Sequence, residues 1–185
     1  MDEFQRGLVD LLPRLRRLAR ALTGSREDAD DLVQATVERA LARRSMWQPG
    51  TRLDSWTFTM MRNAWIDETR ARKRKATAVM EPEALERVAD PASPDLELRL
   101  EARAVERAMQ ALPEGQRMAV ALVLVEGLSY SEAAGVLDVP MGTLTSRLVR
   151  GRQALLERLG APDATQGAKA AAKPADNDEQ TGTVA

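Results

Sequence analysis

The 185-residue chain contains no cysteine and no histidine. The first absence removes disulfides, thiolate nucleophiles and thiolate metal ligands. The second removes imidazole acid–base catalysis, every triad built on it and the common zinc sites. A carboxylate-only metal site is chemically open, but no Asp/Glu cluster sits in a recognisable cation loop. No phosphate-cradling glycine loop occurs either. Neither enzymatic activity nor a cofactor or metal is therefore expected. Long apolar runs are also missing: the longest, Met118 to Val125, falls far short of the ~20 residues that span a bilayer. The start, Met1-Asp2-Glu3-Phe4, is acidic and has no apolar signal core. The expectation is a soluble cytoplasmic protein without direct membrane contact.

Aromatic residues are scarce too: three Trp, two Phe and one Tyr. Four of them, Trp47, Trp56, Phe58 and Trp65, share one short stretch, and a basic run comes directly after. From Arg62 to Lys75, six basic residues oppose Asp67 and Glu68, a local charge of +4 in a chain of net charge −1. Rings beside cations suit an unpaired nucleic-acid strand, whose bases stack while its phosphates pair. The same composition also describes a buried helix with a solvated basic end, and on this segment alone that reading is favoured.

The hydrophobic period is helical throughout, with no convincing alternation of two. The spacing predicts a helix over about Asp2–Leu22, kinked or restarted at Pro13 and closed by Thr23-Gly24-Ser25. A second helix, about Arg26–Arg44, buries Ala29, Leu32, Val33, Thr36, Val37, Ala40 and Leu41. Its far side carries Glu27, Asp31, Gln34 and Glu38, an acidic stripe whose simplest explanation is solvation. After a turn at Trp47-Gln48-Pro49-Gly50, a third helix over about Asp54–Arg74 has two apolar sides. Leu53, Trp56, Met60 and Ala64 form one; Phe58, Met61 and Trp65 form the other. The second side requires another packing partner or a ligand. From Glu81 to Glu101 the local charge is −5 and prolines recur, which reads as a linker over 76–94 with a short helix near Glu83–Val88. Ser93-Pro94 then opens a helix to Leu112, and Pro113 opens another to Glu126. After Gly160 little remains to bury, and a disordered tail over 161–185 is expected.

Ser129-Tyr130-Ser131-Glu132 has the form of a capping box. It opens a short helix that Asp138-Val139-Pro140 breaks, and a further helix runs from about Met141 to Leu159. A short alanine-rich helix, a turn and a longer helix outline a helix-turn-helix, though an ordinary helical hairpin has the same outline. The second helix buries Leu144, Leu148, Gly151, Leu155 and Leu159. Its opposite face offers Gly142, Thr143, Ser146, Val149 and Arg150, flanked by Arg147 and Arg152, with a charge of +3 over Pro140–Arg158. Small polar groups and one arginine suit base edges in the major groove, and the flanking arginines suit phosphates. This face makes DNA binding the better reading.

Taken together, these blocks resemble the extracytoplasmic-function (ECF) sigma factors of bacteria, over about Leu8 to Leu159. Asp28-Ala29-Asp30-Asp31-Leu32-Val33-Gln34 looks like the family's polymerase-binding helix. Ser55-Trp56 with Arg62-Asn63-Ala64-Trp65-Ile66-Asp67 and Arg70 looks like its promoter-opening helix. Ser129 to Ala134 with Gly142 to Leu148 and Arg150-Gly151-Arg152 looks like its minus-35 reader. Thr145 stands where the family often has a basic residue, and Thr57 to Met61 replaces a more aliphatic run.

The resemblance implies an all-α fold of two small helical domains, a sigma region 2-like bundle over 1–75 and a region 4-like helix-turn-helix over 95–160. It implies that Glu27, Asp30, Asp31, Gln34 and Glu38 dock on the clamp helices of the largest subunit of RNA polymerase core. Trp47, Arg52, Arg62, Asn63, Arg70, Arg72, Lys73 and Arg74 would meet minus-10 promoter DNA, while Trp56 and Met60 hold the domain together. Gly142, Thr143, Thr145, Ser146, Arg147, Val149, Arg150 and Arg152 would read minus-35. An anti-sigma factor is a further implied partner. Two other readings compete: a helix-turn-helix regulator that acts without polymerase, and a sigma mimic that sequesters an anti-sigma factor. A mimic has no use for the basic residues retained here.

Overall fold

Helix boundaries fall where a side chain or a left-handed residue satisfies backbone groups that a helix end leaves unpaired. A computed structural model describes residues 1–78 and 96–160, without the side chains of 75–78 and 96–99. The expected linker helix near Glu83–Val88, the Ser93-Pro94 start and the 161–185 tail lie outside the described residues. Helix α1 (Glu3–Thr23) opens on a capping box, the Gln5 amide donating to Asp2 at 2.9 Å and the Asp2 amide to Gln5 Oε1 at 3.2 Å. It closes on Gly24, whose φ of 69° lets its amide reach the Arg20 carbonyl at 2.9 Å. The helix runs unbroken through Pro13, so the restart expected there does not occur. Pro13 is exposed, and so is Val9, whose carbonyl loses its helical donor and can turn to water.

Helix α2 (Arg26–Ala42) is capped by Ser25, and α3 (Leu53–Ala78) comes after a 3₁₀ turn at Arg44–Met46. Helix α4 (Leu96–Gln110) ends two residues before the expected Leu112. The single helix expected from Pro113 to Glu126 is instead α5 (Glu114–Val120) continued by a π turn, Ala121–Val125. There the Glu126 amide bonds to the Ala121 carbonyl at 3.0 Å. The added residue rotates the side chains beyond it around the helix axis, and Glu126 ends up buried. Helices α6 (Tyr130–Leu137) and α7 (Met141–Leu159) follow, and no strand occurs among the described residues.

The first half packs Leu8, Leu15, Leu18 and Leu22 of α1 against Ala29, Leu32, Thr36 and Ala40 of α2 and Phe58 and Met61 of α3. The second half packs Met118, Ala119 and Leu122 against Leu137, Leu144 and Leu148. Buried Thr36 and Thr57 hydroxyls each donate to the carbonyl four residues back, at 2.7 Å, so neither is left unpaired. Two expected core residues are not core: Leu41 is 48% and Leu159 40% exposed, because each lies at the fraying end of its helix.

The halves dock on one another. Helix α3 meets α6, and α1 meets α4, α5 and the π turn. On the second apolar side of α3, Phe58 and Met61 belong to the core of the first half and Trp65 is buried at the docked contact. On the other side Met60 and Ala64 are buried, and Leu53 and Trp56 half-buried.

At Gly151 α7 passes close to α5: a Cβ there would sit 2.8 Å from Val120 Cγ2 and 3.3 Å from the Gln116 carbonyl. Valine is stiff at χ1 and the carbonyl is fixed. Gly151→Ala is therefore expected to cost about 1–2 kcal/mol, overpacking outweighing the ~1 kcal/mol helix gain of alanine. Urea unfolding checks this; an unchanged or raised midpoint would show that the helices can separate freely.

Candidate nucleic-acid and partner surfaces

The acidic stripe lies on α2 as the period requires. Glu27, Asp30, Asp31, Gln34 and Glu38 are all exposed, and Gln34 Nε2 donates to Glu38 at 2.9 Å. Asp28, on the same helix, is turned to α3 and pairs with Arg72 at 2.9 Å.

The aromatic residues fall into two groups. Phe4 organises two of them: Trp47 packs on its ring at 5.5 Å and Trp56 meets it edge-on at 6.1 Å. Trp47 is half-buried, and its indole Nε1 is buried without an acceptor among the described residues. Arg44 closes the cluster, lying 5.9 Å from the Phe4 ring and 2.6 Å from the Asp2 carboxylate. The loop before α3 is thus pinned to the start of α1. Phe58 is wholly buried beneath the Arg14 guanidinium, and Trp65 is buried with Arg117 over its ring at 5.8 Å. Trp65 therefore belongs to the contact between the halves.

The basic residues of this segment are less free than their sequence implies. Arg72 is tied to Asp28 and Glu68, and Lys73 lies 2.5 Å from Glu114 on α5. Arg52 holds Asp54 and also reaches Glu132 of α6. Burial alone would push the Asp54 carboxyl up. Hydrogen bonds from Arg52, Arg14 and the Ser55 amide, with the Arg52 charge, hold it down at about 2. Asn63, Arg70 and Arg74 are exposed, and Arg62 is half-buried. Arg62 and Arg70 line a cavity of about 260 Å³ between the halves, with Arg147 of α7 on its wall.

The helix-turn-helix forms as expected. The Ser129 amide donates to Glu132 at 2.8 Å and the Glu132 amide to Ser129 Oγ at 3.3 Å. Asp138 turns the chain with φ 51° and ψ 52°, the left-handed region that Asp tolerates better than most residues. On α7, Gly142, Ser146, Val149, Arg150 and Arg152 are exposed, while Thr143 and Thr145 are half-buried. Val149 is 62% exposed on this otherwise polar face. Arg147 is half-buried, its guanidinium carbon 3.3 Å from where a Gly115 Cβ would stand. Of the two flanking arginines, only Arg152 is open to solvent.

Between the halves lies a set of charges that the sequence did not single out. The Glu126 side chain is 0% exposed and accepts from Arg17 Nε at 2.9 Å, Arg17 Nη2 at 3.1 Å and Arg14 Nε at 3.1 Å. Arg14 Nη1 also reaches Asp54 at 2.9 Å. Arg117 gathers carbonyls instead: Leu22 at 2.8 Å, Gln110 at 2.5 Å and Leu112 at 3.1 Å. Burial lowers its pKa, against the raising charge of Glu114. The signals were present: a carboxylate ending the apolar run at Val125, and two arginines three apart on a leucine-rich helix. Among the described residues no group of three metal-ligating side chains occurs, and no helix is long and apolar enough to cross a membrane.

Residues 8–62 match the Sigma2 domain of PhyR, and residues 102–155 match Sigma-70, region 4. The chain is 36% identical over 154 residues to the ECF RNA polymerase sigma factor EcfG of Rhodopseudomonas palustris, covering 83% of each protein. It is 34% identical over 161 residues to the ECF RNA polymerase sigma factor SigF of Caulobacter vibrioides, covering 86% of this chain and 87% of that one. Among solved structures it resembles the sigma factor RpoE in complex with the anti-sigma factor NepR from Bartonella quintana. That match has a TM-score of 0.72 and 31% identity, over 86% of this chain and 98% of RpoE.

Proposed function

The chain belongs to the ECF RNA polymerase sigma factors, and from that premise we propose how its surfaces divide the work of promoter-specific initiation. The exposed stripe Glu27, Asp30, Asp31, Gln34 and Glu38 docks on the clamp helices of core polymerase, where complementary charge sets register and on-rate. The exposed face of α7 reads minus-35 DNA, Arg150 reaching a guanine and Val149 a thymine methyl. Arg62, Asn63, Arg70 and Arg74 guide the strand at minus-10, while Trp47 and Arg52 shape the loop that takes an extruded base. No covalent chemistry is assigned to the protein; melting draws on the capture of unpaired bases. The observation that carries this reading is the outer face of α7, where an apolar Val149 stands in solvent among small polar residues and arginine.

In the docked arrangement Arg52 is engaged by Glu132, and Arg62 and Arg147 line one cavity. Promoter engagement therefore requires the halves to part. An anti-sigma partner, such as the one that the similar RpoE binds, would act on this chain by holding its halves together.

Run-off transcription with purified core polymerase tests the reading; absence of promoter-dependent initiation would overturn it in favour of a regulator that works alone. Arg150→Ala is expected to lower promoter selectivity ten- to a hundredfold, as the loss of ~1–3 kcal/mol of base contact implies, with core binding intact. Equal loss in a promoter assay and a polymerase pull-down would show that Arg150 does not read DNA.

A further inference from the structure

A second cavity, of about 740 Å³, opens where the end of α1 and the start of α2 meet α4. Four arginines line it: Arg20 and Arg26 from the first half, Arg103 and Arg107 from the second. Glu106, also in its wall, is neutralised by Arg20 at 2.7 Å. Arg26, Arg103 and Arg107 are exposed and have no carboxylate partner among the described residues. Arg103 and Arg107 stand four apart on α4 and so share a face, where like charges repel. Docking brings Arg26 toward them, which adds to the repulsion. Uncompensated positive charge collected from two halves of a molecule is what a multivalent anion neutralises, because guanidinium groups bind phosphate oxygens in a planar, two-pronged geometry. No aromatic side chain lines the cavity, so nothing offers a base or other ring a stacking surface. Its size suits a small ligand.

We propose that this cavity binds a small oligophosphate, gripped through its phosphate chain by Arg26, Arg103 and Arg107, and that occupancy holds the two halves together. The ligand contacts both halves only when they are docked, so it stabilises that arrangement in proportion to its differential affinity. Binding does not depend on the function proposed above.

The test is calorimetric titration of the full chain with inorganic tripolyphosphate and, separately, with ATP. Both are expected to saturate one site with similar affinity. Arg103→Ala/Arg107→Ala should weaken both at least tenfold. Arg6→Ala/Arg43→Ala, which removes the same charge from exposed positions elsewhere, should change either by less than twofold. In a doubly labelled Asp10→Cys/Arg158→Cys protein, tripolyphosphate should raise energy transfer between the halves. Equal weakening in both double variants would mean unspecific screening and overturn the proposal. So would binding of ATP alone, or tighter binding of an acidic peptide, such as oligoglutamate, at the same arginines.

Discussion

Glu126→Lys is expected to separate the two halves of the molecule while leaving each folded. The Glu126 carboxylate is fully enclosed and its hydrogen-bond partners are Arg14 and Arg17, both on the opposite half. A buried pair contributes modestly when intact, because desolvation opposes attraction. Removing one member is what costs most, about 3–5 kcal/mol in a dry interior. Here the arginine side chains are 31% and 51% exposed, which reduces that figure. Reversal of charge works the other way, since an ammonium would face two guanidinium groups. The net expectation is a loss of about 3 kcal/mol, roughly a hundredfold in the docked-to-open ratio. Energy transfer between labels on the two halves should fall, with helix content by circular dichroism reduced by no more than the last turn of α1. The proposed function adds a second readout: promoter DNA binding should rise, because Arg52 and Arg62 are released. Unchanged energy transfer would mean that the apolar contacts of α3 hold the halves without the charges.

Asp31→Lys should abolish binding to core polymerase and leave the fold intact. Asp31 is exposed and makes no described hydrogen bond or ion pair, so its reversal has little to disturb within the protein. At a docked interface the same change replaces an attraction by a repulsion. Truncating one member of a desolvated charge pair costs about 2–5 kcal/mol, so reversal should weaken binding at least a hundredfold. Affinity for core polymerase, measured with Glu27, Gln34 and Glu38 left in place, decides the matter. If affinity survives, the stripe is ordinary solvated surface and α2 docks by another face.

Elements governed by local signals were legible in the sequence. The capping box at Ser129, the left-handed stop at Gly24 and the buried face of α2 depend on residues within one or two turns of each other. The same holds for the close approach at Gly151, because a glycine on a leucine-rich face has few other uses. The features that escaped detection depend on residues far apart in the chain. Trp65 has no meaning until Arg117 covers it, and Lys73 passes for plain basic surface until Glu114 arrives beside it. The π turn before Glu126 leaves no compositional mark, since alanine, leucine and valine suit either helical register. The basic segment is exposed as expected, but the ion pairs of Arg72 and Lys73 are not legible, because charge counted along the chain ignores carboxylates brought from other elements.

Arg117 shows how deep the dependence between the halves runs. Its guanidinium binds the Leu22 carbonyl from 95 residues away, so the last turn of α1 is finished by a cap supplied from the second half. Hydrogen bonds to a charged group contribute about 1.5–3 kcal/mol, and that contribution departs when the second half departs. The end of α1 must therefore fray as the molecule opens, loosening the connection into α2 from which the acidic stripe projects. A fragment cut at the domain boundary would carry this loss permanently. The helix presented to a partner by the opened protein is thus anchored more loosely than the one in the docked structure.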